Sequence, residues 1–294
     1  MNWQQRMESA IDYIEQNLEQ EISYSCAAAE ANCSTFHFLR MFSVVTGTTL
    51  GEYIRRRRLS MAALQLSLEG GSIASLAARY GYDSPDAFAR AFKREFDTTP
   101  SEARMHGVRL RTWPRISFSI VLKGDTAMEF RLEPRPAFSI IGPSITTAAE
   151  GGKNFIEIPA FWQRAQQQGD IEKLADAASP DSPLGVMGVC LNDYNEADGS
   201  FSYMIAIESP PGGEPPQLSE GCRRVAIPEA TWAIFSSRGP MPSAIQEVWK
   251  RIYGEWFPAS GYNHADAPEL EVYSPGDMSA PDYYCEVWIP VVRQ

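Results

Sequence analysis

GYDSPDAFARAFKREFDTTP, residues Gly81 to Pro100, reads as a capped helix with two faces. Ser84 stands where an N-cap belongs, Pro85 takes the first helical position, and Asp86 lies in the first turn. At about 100° per residue, Phe88, Ala91, Phe92 and Phe96 fall on one side. Asp86, Arg90, Lys93 and Arg94 fall on the other. An aromatic stripe backed by a basic one suits a helix seated on a small core and presented to a polyanion. Taken alone, the pattern fits a solvated surface helix better.

The neighbouring stretches decide between the two. SIASLAARYGYDS supplies a short alanine-rich helix and a turn at Tyr80 to Asp83 just before the capped helix. The same succession occurs upstream: alanine-rich Cys26 to Ala31, a tight turn at Asn32 and Cys33, then a helix capped by Ser34. On that helix Phe38, Met41, Phe42 and Val45 cluster inward, while Phe36, Arg40 and Ser43 point away. A long helix from Leu50 to Leu68, carrying Arg55 to Arg58 and ended by Gly70 and Gly71, joins the two units. Ahead of them, Met7, Ile11, Ile14 and Leu18 keep helical spacing. Two helix-turn-helix units on one connecting helix place two basic faces on one side, which favours DNA. For Arg55 to Arg58, contact with DNA and salt bridges within the domain remain equally open.

These residues resemble the DNA-binding domain of the AraC/XylS family of bacterial transcription regulators. The resemblance covers about residues 5 to 105 and rests on Ser34 to Phe42, Thr46-Gly47, YIRRRRL at Tyr53 to Leu59, IASLAARYGYDS at Ile73 to Ser84, and FARAFKREF with the following Thr99-Pro100. It implies that the helices at about Ser34 to Val45 and Ser84 to Phe96 enter successive major-groove segments. Phe36 and Arg40 on the first helix and Arg90 on the second are the expected base readers, since arginine pairs bidentately with guanine. Apolar Phe36 and Leu39 suit thymine methyls, and Lys93 and Arg94 suit phosphates. Asp97 departs from the family's usual glycine, and Ala103 from its usual aromatic residue.

Composition supports a division of labour. The chain has 294 residues, too many for one typical domain, and 44% of them are hydrophobic, as a globular protein requires. No charge-free apolar run approaches the roughly 20 residues of a membrane helix. The N-terminus lacks a basic segment followed by an apolar one, so no secretory leader is expected, and a cytoplasmic location follows. Cys26, Cys33, Cys190, Cys222 and Cys285 are scattered, without a C-x-x-C, and only three histidines occur. Neither a disulfide frame nor a metal site is expected, and no cofactor is implied. The net charge of −11 is uneven: 13 basic and 13 acidic residues balance through Thr112, while 13 basic against 24 acidic follow.

The boundaries read as a double helix-turn-helix domain at 1–107, a linker at 108–126 partly laid on the next domain as a strand, and an α+β domain at 127–294. The last contains a weak internal repeat of strand, helix, strand, strand. One copy has strands at Phe138 to Ile145, Leu184 to Leu191 and Phe201 to Ile207, with a helix at Ile158 to Gln168. The other has strands at Thr231 to Ser237, Glu269 to Tyr273 and Tyr283 to Val292, with a helix at Ser243 to Trp256. Pro210 to Pro216 separates them. Two such units side by side leave a cleft on their pseudo-twofold axis, a common place for a small ligand. In the last strand, alternation puts Tyr284, Glu286 and Trp288 on one face and Cys285, Val287 and Ile289 on the other. Glu286 either faces a cleft and binds a cation between aromatic rings, or is solvated at a half-exposed strand.

WKRIYGEWFPASGY at Trp249 to Tyr262, ELEVY at Glu269 to Tyr273 and the terminal CEVWIPV resemble GyrI-like effector-binding domains. The resemblance spans about residues 127 to 293. It implies binding of amphipathic, often cationic small molecules, with Glu286 facing the pocket. Trp162, Trp249, Tyr253, Trp256, Tyr262, Tyr284 and Trp288 are candidate walls. The order of domains matches the Rob-like arrangement. Together the two resemblances imply a transcription regulator, not an enzyme, whose partners are double-stranded promoter DNA, RNA polymerase and a small-molecule effector, with no membrane. No residue distinguishes activation from repression. Two alternatives stay open: a hydrolase using Glu286 with Tyr284 or Tyr253, and a second domain without a pocket that serves as a protein-interaction platform.

Overall fold

At Ser23, Ser34, Ser72 and Ser84 the side-chain hydroxyl accepts the amide hydrogen three residues on, at 3.1–3.4 Å. These caps start helices α2 (Tyr24–Glu30), α3 (Thr35–Thr46), α5 (Ile73–Arg79) and α6 (Pro85–Phe96). With α1 (Trp3–Gln16), α4 (Leu50–Glu69) and α7 (Pro100–Ala103), they make up the helical part of the chain. The structure is a computed structural model and describes residues 3–69, 72–105, 108–118, 128–148, 152–180, 182–195, 198–209, 216–219 and 221–293. The helix stop at Gly70-Gly71, the linker beyond residue 118 and most of the proline-rich separator at 210–216 lie outside those residues. Two compact units form: Met1–Phe38 with Thr48–Ile120, and Leu39–Gly47 with Val121–Gln294.

In the first unit, Phe88, Ala91 and Phe92 of α6 pack with Leu59, Ala62 and Leu66 of α4 and with Leu76 and Ala77 of α5. The alanines let the short helix approach closely. Asn32, between α2 and α3, and Asp97, after α6, both take the left-handed conformation, at φ 54° and 55°. Asp97 replaces a glycine of the family pattern, and its Cβ makes that conformation costly. Asp97→Gly is therefore expected to stabilise the first unit by about 0.5–1 kcal/mol. A thermal melt with no upward shift would refute this.

Each arginine of the Arg55 to Arg58 run is engaged inside the unit. Arg55 and Arg56 reach Glu52 and Glu95. Arg57 pairs with Glu15 at 2.7 Å, and Arg58 donates to the carbonyls of Leu18 and Gln20. The salt-bridge reading thus describes Arg55, Arg56 and Arg57, while Arg58 is held by carbonyl oxygens. Residues 108–118 differ from expectation, since their described bonds are with this helical unit and not with a sheet. Trp113 donates its amide to Ser60 Oγ, accepts Arg57 at its carbonyl, and lies under the Arg56 guanidinium, 4.2 Å away. Arg115 bonds Glu8 and Asp12. The helix surface offers these partners, and a strand edge would not.

The second unit is built on one antiparallel ten-stranded sheet among the described residues. Its strands are β1 (Phe130–Arg135), β2 (Phe138–Gly142), β3 (Ser144–Ala148), β4 (Met187–Cys190), β5 (Ser200–Glu208), β6 (Arg223–Ile227), β7 (Ala230–Arg238), β8 (Tyr262–His264), β9 (Glu269–Tyr273) and β10 (Tyr284–Arg293). The order is β1-β7-β10-β9-β4-β5-β2-β6, with β3 on β5 and β8 on β10. Helices α8 (Asn154–Gln167) and α9 (Asp170–Ala177) belong to the first copy of the repeat. Helix α10 (Ser243–Arg251), a π-helical turn (Ile252–Trp256) and α11 (Phe257–Ser260) belong to the second. The copies join where β4 pairs β9, Gly188 facing Glu271. The first strand of copy one breaks at Gly142, where a Cβ would lie 2.0 Å from the Ile205 carbonyl oxygen. Only glycine lets β2 pass β5 so closely.

The pleat divides the sheet cleanly. Trp232, Ile234, Trp288, Leu270, Val272, Met187, Val189, Met204 and Ala206 form a core on one face, with Ile140 and Ile227. Cross-strand partners Phe235, Val287, Glu271 and Gly188 mark the other face.

Candidate effector cleft and nucleic-acid interface

Glu269, Glu271 and Tyr273 alternate along β9, so they share the face opposite the Trp232–Trp288 core. Beside them on the neighbouring strands stand Cys190, Gly188 and Tyr203. Trp249 donates its indole N–H to Glu271 Oε1 at 2.8 Å, and Tyr273 donates its hydroxyl to Glu271 Oε2 at 2.8 Å. Tyr253 donates its hydroxyl to Glu269, and His264 Nε2 lies 3.2 Å from the same carboxylate. The rings of Trp249 and Tyr253 stack at 5.6 Å. From the other copy, Trp162 donates to the Tyr203 hydroxyl at 2.8 Å and packs edge-on against Tyr273. Gly188 makes room for this, because a Cβ there would lie 2.2 Å from the Tyr203 hydroxyl. Two carboxylates under aromatic rings, on the axis joining the repeats, form a site made for positive charge.

Arg40 fills part of it. Its Nε lies 2.6 Å from Glu269 Oε2, its second nitrogen 3.4 Å from Glu271 Oε1, and its head 4.2 Å from the Trp249 ring centre. The other terminal nitrogen meets Cys190 Sγ at 2.9 Å. Burial opposes the charge on Arg40, but the carboxylates of Glu269 and Glu271 favour it and hold its pKa well above the ordinary arginine value. Burial pushes the Cys190 thiol up to about 12, so it stays protonated at neutral pH.

The predicted wall residues fall in three places. Trp162, Trp249 and Tyr253 gather where the two copies join, through hydrogen bonds to Tyr203, Glu271 and Glu269 respectively. Trp256 and Tyr262 stack on each other at 5.9 Å and line an outer cavity of about 370 Å³ with Phe130, Leu132 and the Arg251–Glu255 pair. Tyr284, Glu286 and Trp288 lie on the opposite face of the sheet, in register with Ser236 and Ile234. The expectation that Glu286 faces the cleft is thereby corrected. Its carboxylate accepts Arg131 twice, at 2.7 and 3.0 Å, and also the Tyr284 hydroxyl and the Trp288 indole. Burial pushes the Glu286 carboxyl up, and these donors outweigh it and hold it below the usual range. The pairing with Tyr253 required by one hydrolase reading does not form, since Tyr253 is bonded to Glu269. Glu269 and Glu271 were missed, although the alternation of ELEVY places both on one strand face.

On α6 the predicted DNA residues are free to act. Arg90, Lys93 and Arg94 are exposed, on the side away from Phe88 and Phe92. The first helix differs from expectation. Phe36 and Leu39 are buried at 7% exposure each, and the guanidinium of Arg40 is held by Glu269 and Glu271. Neither predicted base reader of α3, Phe36 or Arg40, is therefore presented to DNA here.

Residues 128–292 match the family model described as a GyrI-like small molecule binding domain, and residues 27–106 match a helix-turn-helix domain model. The first match covers more than half of the chain. The chain belongs to the GyrI-like family and carries an AraC-type DNA-binding domain. This AraC-family transcription regulator is 40% identical over 104 residues to the regulatory protein SoxS of Salmonella typhimurium, covering 35% of this chain and 97% of that one. It is 28% identical over 300 residues to the right origin-binding protein of Escherichia coli K12, covering 96% of both chains. A protein from Staphylococcus aureus MU50 is similar in structure at 25% identity and a TM-score of 0.47, covering 56% of this chain and 99% of that one. Among the described residues of the GyrI-like regulator, no helix is long and apolar enough to cross a membrane.

Proposed function

We propose that the GyrI-like domain senses a small organic cation in the cleft floored by Glu269 and Glu271, and that this binding controls how the AraC-type domain engages promoter DNA. The observation that carries the reading is the pair of carboxylates on one strand face under Trp249 and Tyr253. Negative charge in a buried aromatic site attracts a cation strongly, because little water competes for it. On the DNA side, exposed Arg90 reads a base edge while Lys93 and Arg94 hold phosphates. The names of the relatives, a regulatory protein and an origin-binding protein, support a non-enzymatic, DNA-directed role. Activation through contact with RNA polymerase, in the cytoplasm, completes the proposal.

Tryptophan fluorescence titrated with benzyltriethylammonium tests the cleft. Saturable binding is expected in the wild type, and Glu271→Gln should weaken it about tenfold, the equivalent of about 1.4 kcal/mol. Glutamine still accepts the Trp249 indole and donates to the Tyr273 oxygen, so the fold is kept while the charge is removed. No saturable response would end the sensor reading and favour the interaction platform. Equal binding by the variant would move the cation site away from β9.

A further inference from the structure

The position a cation would take in the cleft is already held by a side chain of the protein. Arg40 meets Glu269, Glu271 and the face of Trp249 at once. An incoming cation needs the same carboxylates and the same ring, so the two exclude each other. The fit of Arg40 is also incomplete. Its Nε approach to Glu269 is a close ion contact without hydrogen-bond alignment. Its contact with Glu271 is long at 3.4 Å, and a further N–H is spent on the weak acceptor Cys190 Sγ. A ligand free of a helix backbone can align its donors better. The Arg40 side chain is 20% exposed and that of Glu271 17%, while Glu269 is buried.

Arg40 lies on α3, the helix whose place in the helix-turn-helix makes it the first DNA reader. A guanidinium held by Glu269 cannot also reach a guanine edge. Residues Leu39–Gly47 accordingly belong to the second compact unit and not to the helical one.

We propose that Arg40 is a tethered pseudo-ligand: α3 and a planar delocalised cation of the guanidinium or amidinium class compete for Glu269, Glu271 and Trp249, so that ligand binding releases α3 for DNA. This rests on the cation reading of the cleft. The ligand class follows from the occupant, a flat charged head stacked on an indole and flanked by two carboxylates. Competition is reciprocal: whatever fraction of molecules holds Arg40 in the cleft lowers the apparent affinity for ligand in proportion.

The experiment uses the full chain and phenylguanidine as probe. Fluorescence titration compares the wild type with Arg40→Ala, which empties the position. Binding is expected to tighten at least fivefold in the variant. Equal affinities, with both proteins binding, would overturn the pseudo-ligand and leave the cation cleft standing. No saturable binding by either would overturn both. Removing Arg40 sets two carboxylates side by side, and that variant can fail to fold, so a second measurement uses the wild type alone. Amide hydrogen exchange of Met41 to Thr46 is expected to accelerate at saturating phenylguanidine as α3 leaves. Unchanged or slower exchange would overturn the proposal.

Discussion

Glu15→Ala is expected to lower the stability of the helical unit by about 3 kcal/mol, the scale for removing one member of a largely buried ion pair. Glu15 bridges helices. Its carboxylate accepts Arg57 through Nε at 2.8 Å and a terminal nitrogen at 2.7 Å, and it accepts the Tyr53 hydroxyl at 2.7 Å. Tyr53 and Arg57 both lie on α4, so one side chain of α1 fixes two positions of the connecting helix. Arg57 also donates to the Trp113 carbonyl at 2.6 Å, and the Tyr53 hydroxyl accepts the Ile116 amide. Removing Glu15 therefore leaves a buried guanidinium without its counter-charge and loosens the 108–118 segment as well. The cost depends on pH. Burial pushes the Glu15 carboxyl up, but hydrogen bonds from Arg57 and Tyr53 and the charges of Arg57 and Arg115 prevail, leaving it below the usual carboxylate range. A carboxyl depressed in the folded state stabilises above its unfolded pKa and loses that contribution as pH falls through its folded pKa. The gap between wild type and Glu15→Ala should thus be full at pH 7 and shrink steadily below about pH 4. Urea melts at neutral and acid pH measure it. A gap that stays constant would mean the charge on Glu15 is not what stabilises the unit.

Arg90→Ala should weaken specific DNA binding by about 1–3 kcal/mol, roughly 5- to 150-fold, and relax sequence preference at one base pair. Arg90 stands exposed on α6, which the buried Phe88 and Phe92 anchor to α4 and α5. Burial of those rings fixes the rotation of the helix, so Arg90 is presented outward by the same packing that seats the aromatic stripe. Lys93→Ala provides the contrast. Without its ammonium to neutralise a phosphate, affinity should fall for all sequences, and the slope of log affinity against log salt should drop by about 1. Binding of selected and scrambled duplexes across a salt series separates the two roles. A uniform loss in Arg90→Ala, or a selective one in Lys93→Ala, would reverse the assignments.

The local grammar of this chain was legible from its residues. Serine caps, Pro85 at a first helical position and the spacing of Phe88, Phe92 and Phe96 act over a few residues, so sequence alone determines α6 and its exposed basic side. The internal repeat likewise predicts a cleft between copies, because strand and helix periods are local properties. Which groups line that cleft was decided only by tertiary structure. A strand period of two places Tyr284, Glu286 and Trp288 on one face, yet it does not say which face of the sheet α8 and α10 cover. Pairing of β10 between β7 and β9 turned Glu286 to Arg131 on the far side and left Glu269 and Glu271 under the helices. Charge partners were equally hidden: Arg57 finds Glu15 from 42 residues away, and Arg40 finds Glu271 from 231. Coulomb attraction depends on distance in space, and only the folded chain sets that distance.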